Sequence, residues 1–354
     1  MTLSDRSAVK GPFNAQMLSL ARKYRGYSQS ELSERTELSQ AQLSRLEHGL
    51  GAPSEVALQK IGEALDFPLA FFQAEGNLFP PFTPLHRKRA SLGKKAQERA
   101  EALANLRRIH ILRLETNVEI DESIPRLDLE EFDGSPRNVA RAIRTSLRLP
   151  RGPVENMVTL LENSGVFVFL DDLGSRYLDG FTLVGDGLRA LVFINRTFPG
   201  DRERLNLAHE LGHIVMHSIP TGNEEAEAWE FAEEFLLPEA SIVDDLKLAK
   251  SIADYAALKR KWKVSMAALI RRARTLNMID QYRYRYLMQL MAPYRVREPV
   301  STPVETPSLV DELLETYRRD LGYTEEDLLS VLSVSKETFQ QLYGHEDKRL
   351  HIVK

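Results

Sequence analysis

Hydrophobic positions recur along this chain with two different periods. Between Phe13 and Phe72 they fall at i, i+3 or i+4, which predicts short helices over residues 15–24, 29–36, 40–48, 56–65 and 68–72. Ser28, Ser39 and Ser54 stand where N-caps belong, and Glu31, three residues after Ser28, completes a capping box. Further helical patterns cover 94–114, 136–149 and 154–164. The period then shortens. Segments 166–170, 180–184 and 189–195 are β-branched or aromatic, are bounded by Gly and Asp, and read as strands of a small sheet. Helices resume over 201–217, over 224–237 where Pro238 stops them, over 252–273 as a pair around Val264-Ser265, and over 309–343. No internal repeat or low-complexity tract stands out. The pattern predicts a mainly α chain with a small β-sheet, an α+β fold.

Two Pro-bearing stretches, 77–84 and 299–307, interrupt this pattern and divide the 354 residues into an N-terminal domain (1–76), a basic linker and connecting helix (77–125), a second domain (126–298) and a helical C-terminal tail (299–354). A composition of 43% hydrophobic and 28% charged residues is globular. Apolar runs fall far short of the roughly 18 residues that span a bilayer, and residues 1–14 are too polar for a signal peptide, so no membrane partner and a cytoplasmic location are expected. The chain has no cysteine, which excludes disulfides, thiolate nucleophiles and Cys-ligated zinc; a metal site must be built from His, Asp and Glu. The net charge of −4 hides strong segregation: nine bases against two acids over 86–113, nine acids and no base over 221–245, and eleven bases against two acids over 246–285.

Residues 28–49 join two eight-residue helices by a short turn. Leu32, Leu38, Leu43 and Leu46 can meet in one core, which leaves Gln40, Ala41, Ser44 and Arg45 on the outer face. This segment, with its Gln-x-x-Leu opening, serine cap and Leu-Glu-His-Gly ending, closely resembles the helix-turn-helix of lambdoid phage repressors and Cro, the XRE family, over about residues 13–72. The resemblance implies a five-helix repressor-like domain whose second motif helix enters the major groove of an operator in double-stranded DNA. Gln40, Ala41, Ser44 and Arg45 match the base-facing positions, with Gln29 beside the phosphates and Ser39 at the cap of the reading helix. Gln can pair bidentately with adenine and Arg with guanine. Residues 1–75 carry eight bases against nine acids, so phosphate attraction by this domain alone is modest.

In Leu207-Ala208-His209-Glu210-Leu211-Gly212-His213 the two histidines are four residues apart, so on a helix they share one face and one ion can bridge them. Neutral imidazoles suit Zn²⁺, and Glu210 would stand beside the ion as general base for water. A third ligand is required. The longer signature with Gly three and His six residues past the second histidine is absent, and His217, four past His213, reads as a structural residue one turn on. The acidic helix over 224–237 is the better source. Ala228, Trp229, Phe231, Ala232, Phe235 and Leu236 define its buried face; at about 100° per residue Glu225 lies about 40° from the centre of that face, Glu224 about 60° and Glu227 about 120°.

These residues also resemble the ImmA/IrrE family of zinc metallopeptidases. Its pattern of a sheet, a His-Glu-x-x-His helix and a Glu-x-x-Ala-x-x-Phe-Ala helix ending in Leu-x-Pro is matched by Glu225, Ala228, Phe231, Ala232 and Pro238, and its turn before the strands by Asp179-Gly180. Trp229 departs from the family's common Asn or Asp, a difference that bears only on a supporting hydrogen bond. The resemblance implies a zincin-like domain with His209, His213 and Glu225 as zinc ligands and Glu210 as the catalytic base. It also implies a homodimeric transcription regulator that cleaves a repressor-type protein or itself. The acids of 221–245 should favour a basic substrate strand, for which 86–113 is one candidate; otherwise that stretch reads as a solvated or DNA-contacting helix. The alternative is a ligand-sensing repressor in which the zincin-like domain only binds an effector or dimerises.

Overall fold

The computed structural model describes residues 12–74, 93–175, 177–185, 188–218, 220–294 and 298–344; the stretch 77–84 and the start of the basic block, 86–92, lie outside the described residues. The chain is mainly α with a three-stranded sheet. The described residues form two compact units, one from 12–74, 93–119 and 310–344, the other from 120–309. Among the described residues no helix is long and apolar enough to cross a membrane.

In the first unit α1 (Ala15–Arg25), α2 (Gln29–Thr36), α3 (Gln40–Glu47) and α4 (Glu55–Leu65) follow the sequence pattern, since local capping decides each start. The hydroxyls of Ser28, Ser39 and Ser54 accept the N–H groups of Glu31, Gln42 and Ala57, satisfying donors that a helix leaves unpaired. Leu18, Leu32, Leu43, Ile61, Phe71 and Phe72 close the core, whereas Leu38, expected among them, is only half-buried. The fifth helix is a 3₁₀ turn, Leu69–Gln73: Asp66 ends α4 in the left-handed region (φ 55°), and Pro68 leaves too short a run for an α-helix. Next comes α5 (Lys94–Leu114). Its basic composition reads as a solvated face, yet Arg107, Arg108 and His110 are buried, and Arg113 donates to the carbonyls of Leu332 (2.7 Å) and Val331. Burial, then the neighbouring cations Arg113 and Arg107, push His110 well below the usual imidazole range and keep it neutral. This stretch is therefore core, and the described part of the expected self-cleavage segment offers no extended strand.

The second unit holds α6 (Pro136–Ser146), α7 (Met157–Glu162), β1 (Phe167–Asp171), β2 (Gly180–Gly185), β3 (Leu188–Asn195), α8 (Gly200–Met216), α9 (Glu224–Leu236), α10 (Glu239–Leu248), α11 (Ile252–Trp262), α12 (Met266–Thr275) and α13 (Gln281–Leu290). The sheet runs β1-β3-β2, with Phe167 opposite Leu191 in parallel register and Phe181 opposite Phe193 in antiparallel register. Helix α8 lies against β2 and β3, and α9 against α8. Leu207, Leu211, Ile214 and Val215 are buried, each worth about 1.5–3 kcal/mol in apolar burial. The close approach of α9 depends on Gly212, where an added Cβ would stand 3.2 Å from both the Ala228 Cα and the Phe231 ring.

The Pro-bearing stretch 299–307 does not leave this unit as a linker. It is bound along it because its flanking carboxylates meet buried cations: Glu298 accepts from Lys259 (2.7 Å) and the Met266 N–H (3.0 Å), while Glu305 pairs with Arg204 and caps α7 through the Met157 and Val158 N–H groups (2.6 and 3.0 Å). The chain then returns to the first unit through α14 (Leu309–Arg319), α15 (Glu325–Leu332) and α16 (Lys336–Tyr343).

Glu203, near the start of α8, is 2% exposed and neither carboxylate oxygen has a hydrogen-bond partner among the described residues. Burial, then the charges of Glu305 and Asp201, raise its pKa to about 7. An acid raised in the folded state holds its proton there while the unfolded chain has already lost it, so folding stability falls as pH rises from the ordinary glutamate range towards about 7 and levels off above it. Denaturant unfolding at pH 5, 6 and 8 should show this loss in wild type and a flatter profile in Glu203→Gln; parallel profiles would refute the assignment.

Candidate metal centre and nucleic-acid interface

The buried helix α8 presents His209 and His213 one turn apart, at 5% and 4% exposure, with Nε2 atoms 3.1 Å from each other. Helix α9 brings the Glu225 carboxylate to 3.5 Å from Nε2 of His209 and 3.6 Å from Nε2 of His213. Two imidazole lone pairs and a carboxylate within 4.8 Å are a donor set that fits a cation and repels itself without one. Burial pushes the Glu225 carboxyl up, but the neighbouring His209 and His213 outweigh this and hold it well below the usual range, so it stays ionised. The acidic residues of α9 are thereby sorted. Glu225 faces the histidines, Glu224 turns back to accept the N–H groups of Thr221 and Gly222 (2.9 Å each), and Glu227 accepts from His217 (3.0 Å) and from Thr221 Oγ1 (2.7 Å).

That last contact gives His217 a part which the sequence reading, limited to helical spacing, did not foresee. Its Nδ1 is 2.8 Å from Nδ1 of His213. Burial, then His213, lower the His217 pKa, so the ring is neutral. Glu227 can only accept, so Nε2 of His217 carries the proton; its Nδ1 must then accept from Nδ1 of His213, which leaves the His213 Nε2 lone pair aimed at His209 and Glu225. The relay from Thr221 through Glu227 and His217 thus fixes the tautomer a metal ligand needs. His209 is supported differently. Its Nδ1 is buried without a hydrogen-bond partner among the described residues, and the Trp229 ring packs on the imidazole (centroids 4.1 Å apart, 35° between planes).

Glu210, 3% exposed, accepts from Thr182 Oγ1 of β2 (2.6 Å) and so lies between the sheet and the histidine pair. The Asp179-Gly180 turn places β2: Asp179 pairs with Arg202 of α8 (2.7 Å), and Gly180 passes so near β3 that a Cβ would stand 2.8 Å from the Phe193 carbonyl oxygen.

On the first unit, Gln40, Ala41 and Arg45 of α3 are exposed and Ser44 is half-buried. Ser39 is engaged as the cap of α3, with its N–H and hydroxyl on Gln42 Oε1 (2.8 and 2.9 Å). Glu47 at the end of α3 is held bidentately by Arg22 of α1 (2.5 and 2.8 Å) in a mostly buried ion pair, and Gln29 at the start of α2 donates to the same carboxylate (2.9 Å).

The two arrangements define a DNA-binding regulator with a peptidase-like domain. Residues 18–72 match the helix-turn-helix family model, and residues 161–274 match that of the IrrE N-terminal-like domain, a peptidase family that is typically metal-dependent. The chain is a helix-turn-helix domain of the XRE type fused to an IrrE N-terminal-like domain. A search of curated proteins found none that matches it.

Proposed function

We propose that this regulator binds its operator as a cytoplasmic homodimer, with Gln40, Ala41, Ser44 and Arg45 facing bases and Gln29 and Ser39 near the phosphates. We further propose that its peptidase-like unit holds Zn²⁺ through His209, His213 and Glu225 and cleaves a repressor-type protein, or the chain itself, to control transcription. The observation that carries the reading is the convergence of two buried imidazoles of α8 and the half-buried Glu225 carboxylate of α9 beside Glu210. A zinc ion bound there would supply Lewis-acid polarisation of water and of a peptide carbonyl. The remaining steps belong to the chain. With Oε2 engaged by Thr182, Oε1 of Glu210 takes the proton from water and later returns it to the leaving amine. Strand β2 forms one edge of the three-stranded sheet and carries Thr182, so a substrate peptide laid along that edge passes Glu210. The acids of 221–245 favour a basic segment of substrate.

Zinc content under chelator competition tests the ligand set. Glu225→Ala should give up zinc at a chelator concentration at least about tenfold lower than wild type needs, whereas Glu224→Ala, which removes only turn hydrogen bonds, should behave as wild type. Retention of zinc by Glu225→Ala would remove it from the site. For the DNA half, Arg45→Ala should cost about 1–3 kcal/mol on the specific duplex and much less on random DNA. Equal losses on both would mean that Arg45 reads no base.

A further inference from the structure

The helices that follow the second unit repeat the first helix-turn-helix in structure. A shift of 296 residues brings these local marks together: Ser28 and Thr324 each cap an eight-residue helix through a capping box, closed by Glu31 and Asp327, and Ser39 and Ser335 cap the eight-residue helix that follows. Between them Glu37 and Ser333 hold the left-handed conformation at φ 57° and 54°. The buried positions coincide as well, Leu32, Thr36, Leu43 and Leu46 against Leu328, Leu332, Phe339 and Leu342, and an eleven-residue helix precedes each pair. Helix α16 is the counterpart of the reading helix α3.

Two observations separate the copy from its original. The start of α2, Gln29-Ser30-Glu31, faces phosphates when such a pair docks on DNA; its counterpart is Glu325-Glu326-Asp327, all exposed, in a segment (309–344) with eight acids and three bases. DNA repels such a surface. The N-terminus of α16, moreover, already holds an anion. The Asp66 carboxylate at the end of α4 accepts from Ser335 Oγ (2.8 Å) and Thr338 Oγ1 (3.0 Å), and Arg25 of α1 joins Asp66 (2.9 Å) and Thr338. On the other side Tyr343 Oη is 2.7 Å from Nδ1 of His110, and the Arg107 guanidinium lies 4.7 Å above the Tyr343 ring.

We propose that residues 309–344 are a second helix-turn-helix module turned from DNA reading to protein contact, an internal brace that holds α1, α4 and α5 of the DNA-reading module. Each chain then offers a single reading helix, α3. The DNA half of this inference rests on α3 being the reader; the bracing half does not.

The test uses the full chain and the duplex that wild type enriches from a random pool. Lys336→Ala/Gln340→Ala, on the exposed face of α16, should stay within threefold of wild-type affinity with an unchanged footprint, while Arg45→Ala weakens binding by more than fivefold. Ser335→Asp keeps a residue able to cap α16 but sets a second carboxylate against Asp66. Amide exchange in α16 and in the facing turns of α1 and α4 should accelerate at least tenfold. A larger loss or a shortened footprint in Lys336→Ala/Gln340→Ala would show that α16 reads DNA and overturn the proposal; exchange in Ser335→Asp equal to wild type would overturn the brace. If wild type enriches no duplex, the reading role of α3 fails, and with it the DNA half, while the exchange result still decides the brace.

Discussion

Glu210→Gln should keep its zinc and lose hydrolysis by about 10²–10⁴-fold, because a neutral amide cannot take a proton from water. The substitution is nearly isosteric, and the carbonyl of a glutamine can still accept the Thr182 hydroxyl that now meets Oε2. The histidines and Glu225 keep their relay and their stacking partner, so the loss isolates proton transfer from metal binding. Zinc-loaded wild type and variant, incubated with operator DNA and the products of adjacent genes, are compared by mass spectrometry. Identical fragments in both samples would show that cleavage does not arise at this site. Induction that persists in cells carrying Glu210→Gln would replace proteolysis with effector sensing as the switch.

The largest effect on stability is expected from Arg272→Ala. Arg272 is wholly buried in α12, donates Nε to the Leu237 carbonyl (2.9 Å) and pairs with Glu234, itself 1% exposed, at the end of α9. Removing one member of a buried pair strands the other charge in a medium that solvates it poorly and costs about 3–5 kcal/mol. Arg141, also on Glu234 at 2.9 Å, softens the loss. Urea unfolding, followed by a probe in the second unit, measures it, and Arg272→Met/Glu234→Leu should recover most of the deficit because neither charge then remains buried. A change below about 1 kcal/mol in Arg272→Ala would mean that solvent reaches Glu234.

Features governed by local chemistry were legible in the sequence. Serine caps placed α2 and α3, and the four-residue spacing of His209 and His213 put both rings on one face of α8. The strands lie within one or two residues of the alternating segments. What stayed hidden depends on tertiary partners. The bases of α5 read as solvated because composition cannot announce that Arg113 will satisfy the carbonyls ending α15. The role of His217 depends on the angle at which α9 crosses α8, set by Gly212 and Ala228. The repeat stayed invisible because, between 28–48 and 324–344, only Leu32, Ser39 and Leu46 find identical counterparts, whereas the likeness resides in caps, burial and one left-handed residue, which many sequences can supply.

The contact between Asp66 and Ser335 joins residues 269 apart in sequence, with the whole peptidase-like unit between them. On the ribosome this order of parts becomes an order in time. At about 5–20 residues per second, the 190 residues from 120 to 309 separate the synthesis of the DNA-reading helices from that of their brace by about 10–40 s. During that interval the peptidase-like unit can fold while Arg107, Arg113 and His110 still lack the groups that later cover them. A nascent chain therefore carries its first helix-turn-helix on an incomplete support until its central unit has been made.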